Sequence, residues 1–523
     1  MSQRRFPVAV VDAAGASACD RAAIDAGIPS RALMQRAGAA AAAELVRRGG
    51  DHLAGGVVVA TGPGNNGGDG WVVAHALHAV GVRVRVVECA RALTRDAVAE
   101  REVALAAGVP ATEGPEDLLR EGELVAVDAL LGTGLSARSP LRGAIARAVE
   151  LLAERHARGA RLVALDVPTG LDASTGADVG HLRCALTVSF GTVKRGQLVS
   201  RGACGEIVVV DIGLGAHARE AGERMSLASA TWFAESLPRI PADAHKGTRK
   251  KIAIIGGAQG MAGAVILAAR AALRSGAGLV RCIVAPESLP AIQEAEPAAL
   301  AAAWPGDDAA LDAIAGWADA VLVGPGLGGG AGRELVARLL RAWRGPVVLD
   351  ADALNAFAGD VATLRSLLGG RPALLTPHPA EFGRLAGLDV DAVLDGRFGL
   401  PGRMASELGA VVLLKGVPTI VAAPDGSSRV VAEGTPILAT GGSGDVLGGI
   451  AATLLAQTGD AALAGALAAF AHGRAASAVS AHGVRGHTLD DLLLALPPVW
   501  SLWPDPPRPP VLAELPAVGE APR

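Results

Sequence analysis

VVVATGPGNNGGDGWVVA, residues 57–74, passes from a short apolar run through five glycines, two asparagines and an aspartate into a second apolar run. Val57–Ala60 reads as a buried strand and Asp69–Val80 as a helix. A strand that enters a helix through a glycine loop is the repeating unit of a parallel α/β sheet. Glycine at this density lets backbone approach a ligand, while Asn65, Asn66 and Asp69 offer side-chain oxygens. Three readings of the loop are open at this point: a phosphate cradle, a cation site, or an Asx-rich turn that only caps the helix. It is neither GxGxxG nor a P-loop, because the lysine and hydroxyl of the latter are missing.

Working outward, the same rhythm recurs. Arg31–Arg48 is an Ala-rich helix, and VRVRVV (82–87) is a strand. LVAV (124–127) ends at Asp128 and the loop ALLGTGLS; RLVAL (161–165) ends at Asp166 and the loop VPTGLD. In a parallel sheet ligands gather at the carboxyl ends of strands. Asn66, Asp128 and Thr169 come from three such ends, and their oxygens together suit a hard cation. The rhythm lapses into a polar stretch at about 217–250 and restarts with KIAIIGG at Lys251. The alternation continues through GLVRCIV (278–284), AVLVGPGLG (320–328), PVVLDADAL (346–354), PALLTPHPAEF (372–382) and GAVVLLKG (409–416), and a long helix pair is expected over Val446–Gln457 and Asp460–Ala481. Before that pair stands ATGGSGD (439–445). Gly441, Gly442, Ser443 and Gly444 lead into a helix expected to start at Asp445, so free N–H groups and the helix dipole converge on one point. Such a nest can hold a phosphate as it moves, while Asp445 takes a proton from an attacking hydroxyl. The plainer alternative is a glycine-rich helix start with Asp445 as a favourable first-turn charge. His378, between two prolines in a loop, reads as a site residue; His245, His472 and His482 have no partner spacing and read as structural or surface residues.

Composition narrows the function. The 523 residues carry 48 basic and 52 acidic side chains, a net charge of -4, which offers no field for nucleic acid and no polybasic membrane patch. Five scattered cysteines without a CxxC pair point to a reducing compartment rather than to disulfides or zinc. The N-terminal twin arginine is followed by an apolar run that stops at Asp12, too short for an export signal. Ile252–Ala269 is uncharged, but four glycines make it strand, turn and helix rather than a membrane span. A cytoplasmic protein acting on a small molecule is expected, with no nucleic-acid or membrane partner, as a homo-oligomer. Residues 506–523 are proline-rich and read as a disordered tail.

LMQRAG (33–38), GPGNNGGDGWVVA (62–74), VDALLGTGLS (127–136), DVPTGLDASTG (166–176) and SFGTVKRG (189–196) resemble the epimerase domain of the NAD(P)H-hydrate repair proteins. The resemblance implies that Asn65, Asn66, Gly67, Gly68 and Asp69 contact a hydrated nicotinamide nucleotide. It implies the same for Gly132, Thr133, Gly134, Leu135, Ser136, Ala137, Arg138 and Asp166. Asn66, Asp128 and Thr169 would hold K+, and Lys194, with Asp166, would act in catalysis. The family more often has Glu-Asn where this chain has Gln35-Arg36.

The second half is similar to the ribokinase-like dehydratase domain of the same system, through HKGTRKKIAIIGGAQGMAGA (245–264), VGPGLG (323–328), LDADALN (349–355), TPHPAEF (376–382), LKGVPT (414–419) and ATGGSGD. This implies Ala264, Gly326, His378 and Asp445 as contacts of the hydrated nucleotide. Lys415, Gly416, Val417, Pro418, Thr419 and Gly444 would hold ADP as phosphoryl donor, or ATP, with Mg2+ assisting. Met261–Val265 and Thr435–Leu438 depart from the family's usual runs. The expected architecture is α/β with two domains: a Rossmann-like parallel-sheet domain over 1–225 and a ribokinase-like domain over 240–505. Its expected work is epimerisation of R and S hydrates followed by nucleotide-dependent dehydration of the S hydrate. The rival is a ribokinase-like small-alcohol kinase with an N-terminal binding module. TPHPAEF, absent from ordinary sugar kinases of this fold, weighs against it.

Overall fold

A computed structural model describes residues 7–120, 122–135, 140–329, 332–501 and 508–518. The chain forms two compact units, Met1–Ser229 with Asp505–Arg523, and Ala230–Pro504. In the first, eight strands lie in the order Val511–Leu515, Glu206–Val210, Leu186–Phe190, Arg161–Leu165, Val125–Ala129, Val57–Thr61, Val84–Glu88 and Ala111–Glu113. All neighbours are parallel except the outermost pair, where Val511–Leu515 runs antiparallel to Glu206–Val210. The central strands are continuous Val/Leu/Ala runs because both faces are covered. Val57 and Val59 face a core with Trp71, Leu77 and Leu45, while Val58 and Ala60 face another with Leu151 and Leu152.

Three expectations change. The helix after the glycine loop is Asn65–Ala79, so Asn65–Gly68 form its first turn instead of preceding it. Glycine's poor helix propensity hides this. It is tolerated because a Cβ on Gly67 would fall 2.0 Å from the Gly62 carbonyl oxygen, so only glycine lets the turn fold onto the loop. Residues 506–523 are not a disordered tail throughout: Val511–Leu515 is an edge strand, with Val511, Ala513 and Leu515 buried at alternate positions. Proline-rich flanks masked that period of two; of the same stretch, residues 506–507 and 519–523 lie outside the described residues. The polar stretch is also not without structure. It holds His217–Glu220, Met225–Leu227 and Ala230–Ser236, each too short to set up a visible rhythm.

Within the second unit, strands run in the order Ser428–Val431, Thr419–Ala422, Val411–Leu414, Ala373–Leu375, Val347–Leu349, Ala320–Val323, Lys251–Ile255, Leu279–Val284 and Leu300–Ala303. They are parallel from Val411–Leu414 to Leu300–Ala303, and the other two add an antiparallel edge. The helix Ser443–Thr458 packs between Ala262–Arg274 and Ala461–Val479. It starts two residues before Asp445, which therefore sits in its first turn. Asp350, Thr376 and Lys415 each follow the last residue of a strand; Asp350 and Lys415 face Gly444 in that turn, and Thr376 donates to Asp350. Among the described residues no helix is long and apolar enough to cross a membrane.

Two candidate active sites

At the strand ends of the first unit lies a cavity of about 480 Å³. Asn65, Asn66 and Asp69 line it, with Gly132, Thr133, Gly134, Leu135, Asp166 and Lys194. Gly67 and Gly68 serve otherwise, packing on Gly62 and on Met34. Ser136, Ala137 and Arg138 lie outside the described residues. Asp166 occupies a left-handed backbone conformation at φ 62°, which costs a non-glycine residue about 1–3 kcal/mol and turns its carboxylate into the cavity. That carboxylate forms an ion pair with Lys194 and accepts from the Phe190 N–H at 3.1 Å. Lys194 is buried, and its ammonium also reaches Ser189 Oγ, Phe190 O and Thr192 O, each at 3.3 Å. Burial, with Asp166 and Asp20 nearby, holds the Asp69 carboxyl well above the usual carboxylate range. Asp20, from the helix Ala13–Asp25, was not legible as a site residue. Burial pushes it up to about 6, against the pull of Lys194, although its place at the exposed rim lets solvent temper that shift. One carboxylate thus pairs with the ammonium while two further carboxyls feel its charge, an arrangement able to give and take protons.

Behind the cavity Asp128 is fully buried. Its Oδ2 accepts the Thr169 N–H and its Oδ1 the Thr169 hydroxyl, both at 2.7 Å, and Oδ1 also accepts the Leu130 N–H at 3.2 Å. Burial nevertheless raises it to about 6, the hydrogen bonds pulling the other way. Asn66 is buried, and neither atom of its carboxamide has a hydrogen-bond partner. An amide left so costs about 1–3 kcal/mol, which a bound ligand would offset. It faces Gly132, in the loop that follows Asp128. One buried carboxylate with neutral amide and hydroxyl oxygens fits a large monovalent cation such as K+ better than Mg2+.

In the second unit the structure brings Lys415, Gly444, Asp445 and His378 together, with two residues the sequence reading left unassigned, Asp350 and Glu381. Lys415 Nζ lies 3.0 Å from Asp350 Oδ1 and 3.6 Å from Glu381 Oε2. Burial opposes its charge, but these carboxylates more than offset that and hold the ammonium above the usual lysine range. The Asp445 carboxyl is pushed up to about 7, by burial and then by Asp350, with Lys415 opposing. His378 Nδ1 accepts the Ala380 and Glu381 N–H groups at 3.1 and 3.3 Å, capping the helix Pro379–Ala386. Its Nε2 stands 3.3 Å from Glu381 Oε1, and burial keeps the imidazole below its ordinary range. Gly326 and Ala264 are adjacent: a Cβ on Gly326 would lie 3.2 Å from the Ala264 Cβ. From Lys415 the loop Gly416–Thr419 runs outward to Val417, which is 66% exposed. His472 is buried, pushed down to about 4 by burial and then by Lys415.

Residues 252–498 match the model of the NAD(P)H-hydrate dehydratase family, and residues 30–196 that of the YjeF-related protein N-terminus. A bifunctional NAD(P)H-hydrate repair enzyme from Salinibacter ruber is 39% identical over 94% of this chain and 96% of its own. Its counterpart from Escherichia coli is 36% identical over 84% of each chain. The chain belongs to the family of bifunctional NAD(P)H-hydrate repair enzymes. A solved ADP/ATP-dependent NAD(P)H-hydrate dehydratase from Bacillus subtilis, co-crystallised with ATP and Mg2+, is 29% identical with a TM-score of 0.45, covering 52% of this chain and 96% of that one. As a member of the repair family the chain departs at Gln35-Arg36, and both residues are engaged. Gln35 Nε2 donates to Glu100 Oε1 at 2.8 Å and Arg36 Nη1 to Ile212 O at 3.2 Å. In the other departures, Met261 packs its Cβ against Gly326, and Ile437 is buried.

Proposed function

We infer that this chain restores hydrated NADH and NADPH to the working cofactors: the first unit interconverts the R and S hydrates, and the second dehydrates the S hydrate at the expense of a nucleotide phosphate. The observation that carries the reading is the Asp445 carboxyl in the first turn of a glycine-started helix, beside the Lys415 ammonium, with its proton held near neutrality. Hydration places a hydroxyl on the ring carbon bonded to nitrogen. Asp445 takes that hydroxyl's proton as the oxygen bonds to the terminal phosphorus of the donor and the bond to the leaving nucleotide breaks. Lys415 and the N–H groups around Gly444 neutralise the moving charge. The new phosphate ester then leaves with its C–O electron pair, driven by the ring nitrogen's lone pair. Loss of a proton from the neighbouring carbon restores the double bond.

ADP is the donor in this reading, leaving AMP, with ATP as an alternative; Mg2+ would screen the phosphate charges. In the first unit K+ would lie against Asn66, Asp128 and Thr169. The chain's own contribution there is the Asp128–Thr169 bond that ties two strand ends together. The cavity carboxyls and Lys194 would move the proton that lets the hydroxyl-bearing carbon lose its configuration. Placement in the cytoplasm and assembly as a homo-oligomer belong to the same reading. A small-alcohol kinase could use the second site alike, but the relation to repair enzymes spans both units end to end. The test is stoichiometric. Purified S hydrate with ADP should yield one AMP and one phosphate for each dihydronicotinamide restored, whereas a stable phosphorylated product would establish the kinase.

A further inference from the structure

We propose that Asp350 is a positioning residue of the dehydration reaction, holding the Lys415 ammonium at the mouth of the glycine nest and standing as a fixed negative charge beside Asp445. The proposal rests on the dehydratase reading above. Asp350 follows the strand Val347–Leu349 and is 2% exposed. Its Oδ1 accepts from Lys415 Nζ at 3.0 Å and from the Thr376 hydroxyl at 2.8 Å. Its Oδ2 turns the other way: a Cβ on Gly444 would lie 3.8 Å from it and 3.4 Å from Lys415 Nζ, and one on Gly448 3.9 Å from it. One carboxylate therefore touches two strand ends and the first turns of the catalytic helix. The backbone fixes it there. Asp350 N–H donates to Val323 O at 3.0 Å, Asp352 Oδ2 accepts the Gly328 N–H at 2.9 Å, and Ala351 between them is held at φ 49°. A left-handed non-glycine residue persists only where its surroundings over-determine it.

Asp445 is faced by Asp350, Lys415, Asp352 and Glu381. His378 and His472 both feel the Lys415 charge. Of the carboxylates, Asp350 acts on Asp445 most strongly, and Lys415 is the opposing charge. A merely structural anchor would hold the loops but would leave the pH dependence of dehydration alone.

The experiment uses the full chain with Asp350→Asn and Lys415→Met, reading ADP affinity by calorimetry and kcat for the S hydrate against pH. Asp350→Asn should weaken ADP about tenfold, because the ammonium loses its anchor. It should also move the acid limb of kcat down by about one pH unit, since a negative neighbour of Asp445 is gone. Lys415→Met should move that limb up. Opposite shifts cannot come from loosened folding, and epimer exchange should stay at the parent level in both variants. Parent ADP affinity and an unmoved limb in Asp350→Asn would overturn the proposal; should that variant fail to fold, an unmoved or lowered limb in Lys415→Met would do so. A parent chain that binds ADP but restores no dihydronicotinamide would instead defeat the dehydratase reading, and the calorimetry would still decide whether Asp350 anchors Lys415.

Discussion

The proton on Asp445 carries the second unit's chemistry. With its carboxyl raised to about 7, the ionised fraction grows through neutrality, so dehydration should gain rate across that range. Asp445→Asn should keep ADP binding and lose about 10²–10⁴-fold in kcat; near-parent turnover would remove the assignment. The same group bears on stability. Its native value lies above the unfolded 3.8, so between those values the unfolded chain ionises first and stability falls as pH rises. Asparagine escapes that loss, so Asp445→Asn should melt no lower than the parent at pH 8. In the first unit, Asp128→Ala should abolish epimer exchange while leaving dehydration of pure S hydrate at the parent rate. Loss of both activities would contradict the division of labour. Strand-ending aspartates were legible because apolar runs stop at them, as at Asp128 and Asp166. Asp350 ends PVVLD in the same way, so the signal was present. Asp20 gave none, because it lies on a helix far along the chain from every loop it meets.

At the scale of elements, the strand–loop–helix alternation announced both sheets, and the structure keeps nearly every strand it implied. Sequence reading failed where packing overrode local preference. Glycines at 67 and 68 look like helix breakers, yet contact with Gly62 and Met34 makes them the helix's first turn. The C-terminal strand was hidden by proline, although V-L-A-E-L alternates as an edge strand should. Ending the chain at residue 507 removes the strand that pairs with Val208 and Val210, along with the buried side chains of Val511 and Leu515. The expected cost to the first unit is about 2–4 kcal/mol, read as a lower denaturant midpoint for epimerase activity. An unchanged midpoint would show that the strand adds nothing.

The whole molecule is one unit interrupted by another: the chain leaves the first at Ser229 and returns to it after Pro504. The two halves were readable from the gap in rhythm, but the interruption was not, because only the terminal strand reveals it. The division between Ser229 and Ala230 falls within the polar stretch. Phe233 is fully buried and stacks on Phe470 of the second unit, with ring centroids 4.7 Å apart. A fragment of residues 230–501 should therefore fold and dehydrate the S hydrate alone, whereas one starting at residue 246 loses a contact worth about 3–5 kcal/mol. Equal stability of the two fragments would contradict that boundary. The central claim, two activities in one chain, is tested most directly by how much of an equal R and S mixture the intact chain consumes with excess ADP, corrected for spontaneous exchange. Both epimers should be consumed completely, with dihydronicotinamide absorbance returning to match the hydrate supplied; a stop at half, with the R hydrate left over, would contradict the account.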